Sequence, residues 1–187
     1  MKVRLIAGDF GGRYLDAPDT TRTHPMGERI RASLFNILGD VSGKRVLDAF
    51  AGTGALGLEA ISRGAASATF IERDRVAQKV LDNNIALLGV KNRAKLIRTS
   101  VASWDETAGE GKFDLIFADP PYHDLQLSTV SRLAKYLQPK GLMILSIPGR
   151  ESAPTVNGVV VVDKRSYGDA ALAFYHLDAS INDEKEA

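Results

Sequence analysis

Strand-like and helix-like runs alternate from Lys44 onward, and that alternation fixes the class of fold open to this chain. RVLDAF (45–50) reads as a strand and TGALGLEAISRG (53–64) as a helix closed by a glycine. ATFIER (68–73) is a second strand, and DRVAQKVLDNNIALLG (74–89) is an amphipathic helix between an Asp cap and Gly89. AKLIRTS (94–100) and FDLIFAD (113–119) read as strands with a short helix between them. LSTVSRLAKYLQPKG (127–141) reads as a helix ending in stop signals, and LMILSIP (142–148) as a fifth strand. The pattern predicts an α/β fold with a mostly parallel, doubly wound sheet and helices on both faces. VVVVDKRSY (159–167) and AALAFYHL (170–177) flank Gly168-Asp169, so the sheet is expected to finish in an antiparallel hairpin. Upstream, VRLIAGDFGGRYLDAP reads as a Gly-turned hairpin and residues 27–39 as a helix. Three regions follow: an N-terminal hairpin and helix appendage over 1–40, the sheet domain over 41–177, and an acidic tail over 178–187 expected to be disordered.

Composition narrows the function classes. The 187 residues suffice for one well-buried domain. No apolar run is long enough to span a bilayer, and MKVRLIAGDFGG lacks the apolar core of a signal peptide. The absence of cysteine fits a reducing cytoplasm and excludes thiolate metal sites. His24, His123 and His176 are far apart, so no metal is expected. Asp178, Asp183, Glu184 and Glu186 against Lys185 leave the last ten residues at −3 and the remainder at +4, which is compatible with a polyanionic partner.

Two stretches carry the chemistry. In DAFAGTGALG (48–57), Gly52, Gly54 and Gly57 complete a GxGxxG pattern between strand and helix. Such glycines let the backbone turn sharply and approach a ligand. A dinucleotide, a methyl donor or a plain tight turn would each suit the pattern. Asp48 tilts the choice, because a carboxylate there can pair with the ammonium of a methionyl group and would repel a pyrophosphate. Glu72, closing the next strand, is placed to accept from ribose hydroxyls. The second stretch is FDLIFADPPY (113–122). Its two prolines force the chain out of the strand, leaving Asp119 and Tyr122 at a carboxyl end, where open α/β sheets bind ligands.

VLDAFAGTGALGLEA, FIERD and FDLIFADPPY resemble motifs I, II and IV of class I S-adenosylmethionine-dependent methyltransferases, which have a Rossmann-like fold. The chain as a whole, from about Val3 to Leu177, resembles the RsmD family of bacterial 16S rRNA guanine-N2 methyltransferases. IAGDFGGRYLDAP with THPMGERIRASLFNIL is similar to that family's leading hairpin and helix, and KRSYGDAALAFY to its closing hairpin. The resemblance implies S-adenosylmethionine as cofactor, held by Asp48, Phe50, Gly52, Thr53, Gly54 and Leu56 of the first motif and Glu72 and Arg73 of the second. Ser100 and Val101 would lie near the adenine, and Asp119 would border the methyl group. It also implies a monomeric cytoplasmic enzyme, no membrane association, and 16S rRNA or the small ribosomal subunit as partner. The chain departs from the family at His24, Met26 and Gly27, where Arg and a hydroxyl-bearing pair are usual, and at Ser100, where Asp or Asn is common.

The DPPY motif suits an exocyclic amine. The carboxylate of Asp119 and the carbonyl of Pro120 can each accept from the NH₂, turning its lone pair toward a sulfonium methyl, while Tyr122 offers a stacking face. Pro121 and Tyr122, with Arg13, Arg29, Arg31 and Tyr167, are the expected substrate contacts. Arg4, Arg13, Arg22, Arg29 and Arg31 share the appendage with Phe10 and Tyr14, but Asp9, Asp16, Asp19 and Glu28 interleave with them, as on an ordinary solvated face. Competing readings are a DNA or other RNA amino-methyltransferase, a protein-glutamine methyltransferase, an NAD(P) oxidoreductase and a non-catalytic RNA-binding module. The chain is too short for the target-recognition domain of the first. The second usually has Asn where Asp119 stands, and Asp48 with DPPY weighs against the third. Only loss of activity on Asp119→Ala would exclude the fourth.

Overall fold

The computed structural model describes residues 1–19, 26–107 and 111–180. Arg22, His24 and the tail beyond Ser180 lie outside the described residues. The chain opens on an antiparallel pair, β1 (Lys2–Arg4) and β2 (Tyr14–Asp16), followed by α1 (Glu28–Leu38). The alternating region contributes β3 (Arg45–Asp48), α2 (Ala55–Ser62), β4 (Ser67–Ile71), α3 (Arg75–Leu88), β5 (Ala94–Ile97), α4 (Val101–Thr107) and β6 (Phe113–Ala118). It continues through α5 (Leu127–Arg132), β7 (Leu137–Pro148), β8 (Val159–Tyr167) and β9 (Ala170–Leu177).

The seven-stranded sheet has the order β5-β4-β3-β6-β7-β9-β8. Strands β5 through β7 are parallel, and β9 runs antiparallel between β7 and β8. The chain leaves β3 on one side for β4 and β5, then returns to its other side for β6. That reversal makes the carboxyl ends of β3 and β6 the topological switch point.

Side chains alternate across the sheet and feed two cores. Val46, Phe70, Phe117 and Ile144 face one core with Leu34 and Phe35 of α1, Leu58 and Ile61 of α2, and Leu81 and Ile85 of α3. Leu47, Ile116, Met143 and Leu145 face the other with Val101 of α4 and Val130 of α5. This is the doubly wound arrangement the alternation predicts.

The strand expected over 94–100 stops at Ile97, and the largest difference lies after β6. The helix expected over 127–141 stops at Arg132, a 3₁₀ turn occupies Leu133–Tyr136, and strand begins at Leu137 rather than Leu142. Pro139 biases Gln138 away from helical geometry, so QPKG extends instead of closing a helix. The register with β6 jumps there, Phe113 facing Leu137 and Leu115 facing Leu142.

The N-terminal segment is bolted to the sheet domain by buried polar side chains. Glu59 accepts from the Ile6 and Ala7 amides at 2.9 and 3.1 Å. Asn84 Oδ1 accepts from the Asp16 amide at 2.9 Å, and its Nδ2 donates to the carbonyls of Asp16 and Thr53 at 2.9 and 3.1 Å. Gly8 has φ +82°, and a Cβ there would stand 1.8 Å from the Ser62 carbonyl oxygen.

Candidate active site

The two-residue period of the strands builds the site. Asp48, Glu72, Asp119 and Ser146 stand two positions beyond Val46, Phe70, Phe117 and Ile144, all of which enter the first core. Extended alternation therefore brings these four polar side chains to one face at the carboxyl edge of the sheet. An Ala49 amide to Phe117 carbonyl bond of 2.9 Å ties β3 to β6 there.

Asp48 is 1% exposed, and its Oδ2 accepts from the Gly57 amide at 3.0 Å. Burial pushes its pKa up to about 8, with Asp119 and Glu72 adding repulsion and the Gly57 amide opposing. Glu72 Oε2 accepts from the Gly52 amide and Oε1 from the Asp74 amide, each at 2.7 Å. Its carboxylate thus shapes the glycine loop as well as facing the cleft. Asp119 is partly buried, which pushes its pKa up to about 6, while the Ser146 hydroxyl opposes that rise. None of the three carboxylates has a salt-bridge partner among the described residues. Such a cation-free cluster fits a cationic ligand bearing N–H and O–H groups. No group of three residues that could hold a metal ion occurs among the described residues.

The three glycines divide their work. Gly52 has φ +54° with open space where a Cβ would stand, so only here does the loop leave room for a ligand. A Cβ on Gly54 would meet Leu81 at 2.2 Å, and one on Gly57 would meet the Phe70 ring at 2.3 Å. Those two let α2 pack tightly on its neighbours, rather than admitting a ligand as the pattern suggested.

Thr53 and Leu56 are buried, Phe50 is half-buried and Arg73 is exposed. Ser100 caps α4, its Oγ accepting from the Ser103 amide at 3.2 Å, and Val101 is the buried first residue of that helix. At the DPPY turn, Pro120 is buried, Pro121 half-buried and Tyr122 41% exposed. The Tyr122 hydroxyl lies 2.8 Å from Ser146 Oγ. Sequence reasoning passed over Ser146, although it is the lone polar residue in the run LMILSI.

The expected substrate contacts separate into surface and interior. Arg13 is exposed beside the Phe10 ring at 5.7 Å, and Arg29 is exposed on α1. Tyr167 is half-buried, with its hydroxyl 2.6 Å from Ser33 Oγ one turn beyond Arg29. Arg31 is a correction. It is 1% exposed, donating to the Met26 carbonyl at 3.0 Å and to the Arg4 carbonyl, and has no surface from which to reach RNA.

A model of the family described as Conserved hypothetical protein 95 matches residues 3–176. Ribosomal RNA small subunit methyltransferase D of Escherichia coli K12 is 36% identical over 159 residues, 83% of this chain and 79% of that protein. The protein of the same name from Haemophilus influenzae is 29% identical over 93% of each. The chain belongs to the RsmD family. The solved structure of yhhF from Escherichia coli matches with a TM-score of 0.84 at 33% identity, covering 96% of this chain and 99% of that one. The RsmD match spans both the glycine loop and the DPPY turn, and the fold is the Rossmann-like one of class I methyltransferases. No helix among the described residues is long and apolar enough to cross a membrane.

Proposed function

We propose that this RsmD-family chain transfers the methyl group of S-adenosylmethionine to the exocyclic N2 amine of a guanine in 16S ribosomal RNA. The observation that carries the reading is the switch point itself. Asp48 and Asp119 end adjacent strands on one face, with the open glycine loop on one side and the DPPY turn on the other. The relatives' names support rRNA of the small subunit as the substrate class.

S-adenosylmethionine, when bound, supplies an electrophilic methyl on a sulfonium that leaves as a neutral thioether. The buried, cation-free carboxyl groups suit its positive charge, and a cation beside Asp48 would favour release of the proton that burial keeps there. Asp48 would accept from the methionyl ammonium, and the remaining lone pairs of Glu72 would take the ribose hydroxyls. Gly52, Thr53, Phe50 and Leu56 would border the methionyl arm, with Arg73, Ser100 and Val101 toward the adenosine. Across the cleft, Asp119 and the Pro120 carbonyl accept from the guanine NH₂, drawing a delocalised lone pair toward the methyl. Tyr122 and Pro121 offer the base a face, a stack worth about 1–3 kcal/mol. The base must leave its own stack to reach this pocket. Once methylated, the nitrogen is strongly acidic, and its proton passes to the Asp119 carboxylate or to water. Arg13, Arg29 and Tyr167 would contact the RNA, with residues 1–40 as the RNA-facing region and 41–177 as the transferase domain. One chain carries the whole set, so the reading is of a monomer acting in the cytoplasm on rRNA or the small-subunit particle.

The test is transfer of radiolabelled methyl from S-adenosylmethionine to unmodified 16S rRNA or small-subunit particles, followed by digestion to nucleosides. The expected product is N2-methylguanosine, absent with Asp119→Ala. Label in another nucleoside would overturn the assignment of the base. No label from a protein that binds the cofactor would overturn the enzymatic reading.

A further inference from the structure

We propose that Ser146 is a positioning residue for this transfer: its hydroxyl, fixed on β7, holds the Tyr122 ring in place beside Asp119. The role rests on the methyltransferase reading above. Ser146 is 3% exposed within the otherwise apolar run LMILSI of β7. A hydroxyl buried there is costly unless it is bonded. Its partner is the Tyr122 hydroxyl at 2.8 Å.

The backbone makes Ser146 a rigid anchor. Leu145 is in register with Ala118 of β6, and Ser146 with Leu172 of β9, so ladders on both sides fix it directly beside Asp119. Tyr122, by contrast, sits on an irregular turn with two-fifths of its surface exposed. The hydroxyl also opposes the rise that burial imposes on the Asp119 carboxyl.

Charge then sets the direction of the chain. An ionised Asp119 has no proton to give, so it favours the arrangement in which the Ser146 O–H turns toward it and the Ser146 oxygen accepts from Tyr122. In the proposed arrangement Tyr122 O–H, Ser146 O–H and the Asp119 carboxylate are ordered in one direction. When Asp119 takes up a proton, the constraint on that direction is lost, so the hold on the ring is linked to the state of the carboxylate that receives the amine.

The experiment compares wild type, Ser146→Ala, Tyr122→Phe and the double variant. Steady-state kinetics with rRNA is run from pH 5 to 8, with melts to correct for unfolded protein. Ser146→Ala is expected to lower kcat about 10-fold, the size of one lost hydrogen bond, with S-adenosylmethionine affinity unchanged. The double variant should be no slower than Ser146→Ala, because both changes break one series. The acid limb of the kcat profile should move to higher pH in Ser146→Ala and stay put in Tyr122→Phe. Tyrosine ring NMR adds a readout without turnover: the Tyr122 signal, assigned by its loss in Tyr122→Phe, should shift with pH alongside Asp119 in wild type and cease to do so in Ser146→Ala. Multiplying rate losses, an unmoved acid limb, or a rate loss equal to the unfolded fraction would each overturn the proposal. A wild type that transfers no methyl removes the functional reading and the role in transfer with it, while the ring titration still reports whether the hydroxyl series exists.

Discussion

Arg31 Nε lies 3.9 Å from Glu59 Oε2, and both side chains are out of reach of solvent, at 1% and 0% exposure. The pair sits where α1, α2 and the N-terminal segment meet. Burial lowers the pKa of Arg31, and the Glu59 charge opposes that. Arg31→Ala would strip two backbone carbonyls of their donor and leave Glu59 with Arg63 as its remaining charged partner. The expected cost is about 3–5 kcal/mol, the usual penalty for breaking a buried pair. Arg29→Ala, two positions away and exposed, should stay within about 0.5 kcal/mol of wild type. Urea unfolding of both variants checks the contrast.

Asp48 gives stability a pH slope. Its carboxyl titrates near 8 in the folded chain against an ordinary value of 3.8, with burial as the main cause. Between those values the folded state holds a proton that the unfolded state has lost, so stability falls as pH rises through that window. Asp48→Asn should therefore melt above wild type at pH 8, by about 2–4 °C for each kcal/mol relieved, and converge with it near pH 4. The same variant should lose S-adenosylmethionine binding. Melts at the two pH values, with and without cofactor, check both halves.

Gly52 and Gly57 should fail differently. Gly57→Ala drives a methyl into the Phe70 ring, and overpacking of that kind costs about 1–3 kcal/mol. Gly52→Ala meets no atom, and its φ of +54° adds about 1–2 kcal/mol of backbone strain. The Gly52 methyl would instead point into the open side of the loop, so cofactor affinity should fall more than stability does. Calorimetry of folding and of binding separates the two.

Arg13→Ala and Arg29→Ala should each weaken rRNA binding and reduce the salt slope by about 1, as expected for a lost phosphate contact. Filter binding between 50 and 200 mM salt reads both. A slope unchanged by either variant removes that surface from the RNA footprint.

What was legible in the sequence is what short-range periodicity determines. Asp48, Glu72 and Asp119 could be placed at strand ends because each closes a short strand-like run before a glycine loop, a helix cap or a proline pair, and the turn at Gly168 could be placed because its flanks are extended. Arg31 was expected among the substrate contacts and lies in the interior instead. Its spacing from Arg29 puts the two on different sides of a helix, but which side goes inward depends on Glu59, far down the chain. The end of α5 was misread because a proline after a helical run serves equally as a stop signal and as the start of an extended segment. Ser146 was hidden by its company, since one hydroxyl in an apolar strand gains meaning only when Tyr122 returns across the sheet edge to meet it.

The bonds that seat the amino-terminal segment also impose a schedule on synthesis. The amides of Ile6 and Asp16 take their acceptors from side chains 53 and 68 residues later, on α2 and α3. At ribosomal speeds of about 5–20 residues per second, Asp16 waits roughly 3–14 s for Asn84 to be made, and longer for it to clear the exit tunnel. Until then the Asp16 amide has no acceptor, and the hairpin holds at most its bonds to α1 and α2. The hairpin therefore cannot be fully seated until α3 has been made, although its own residues precede the whole sheet.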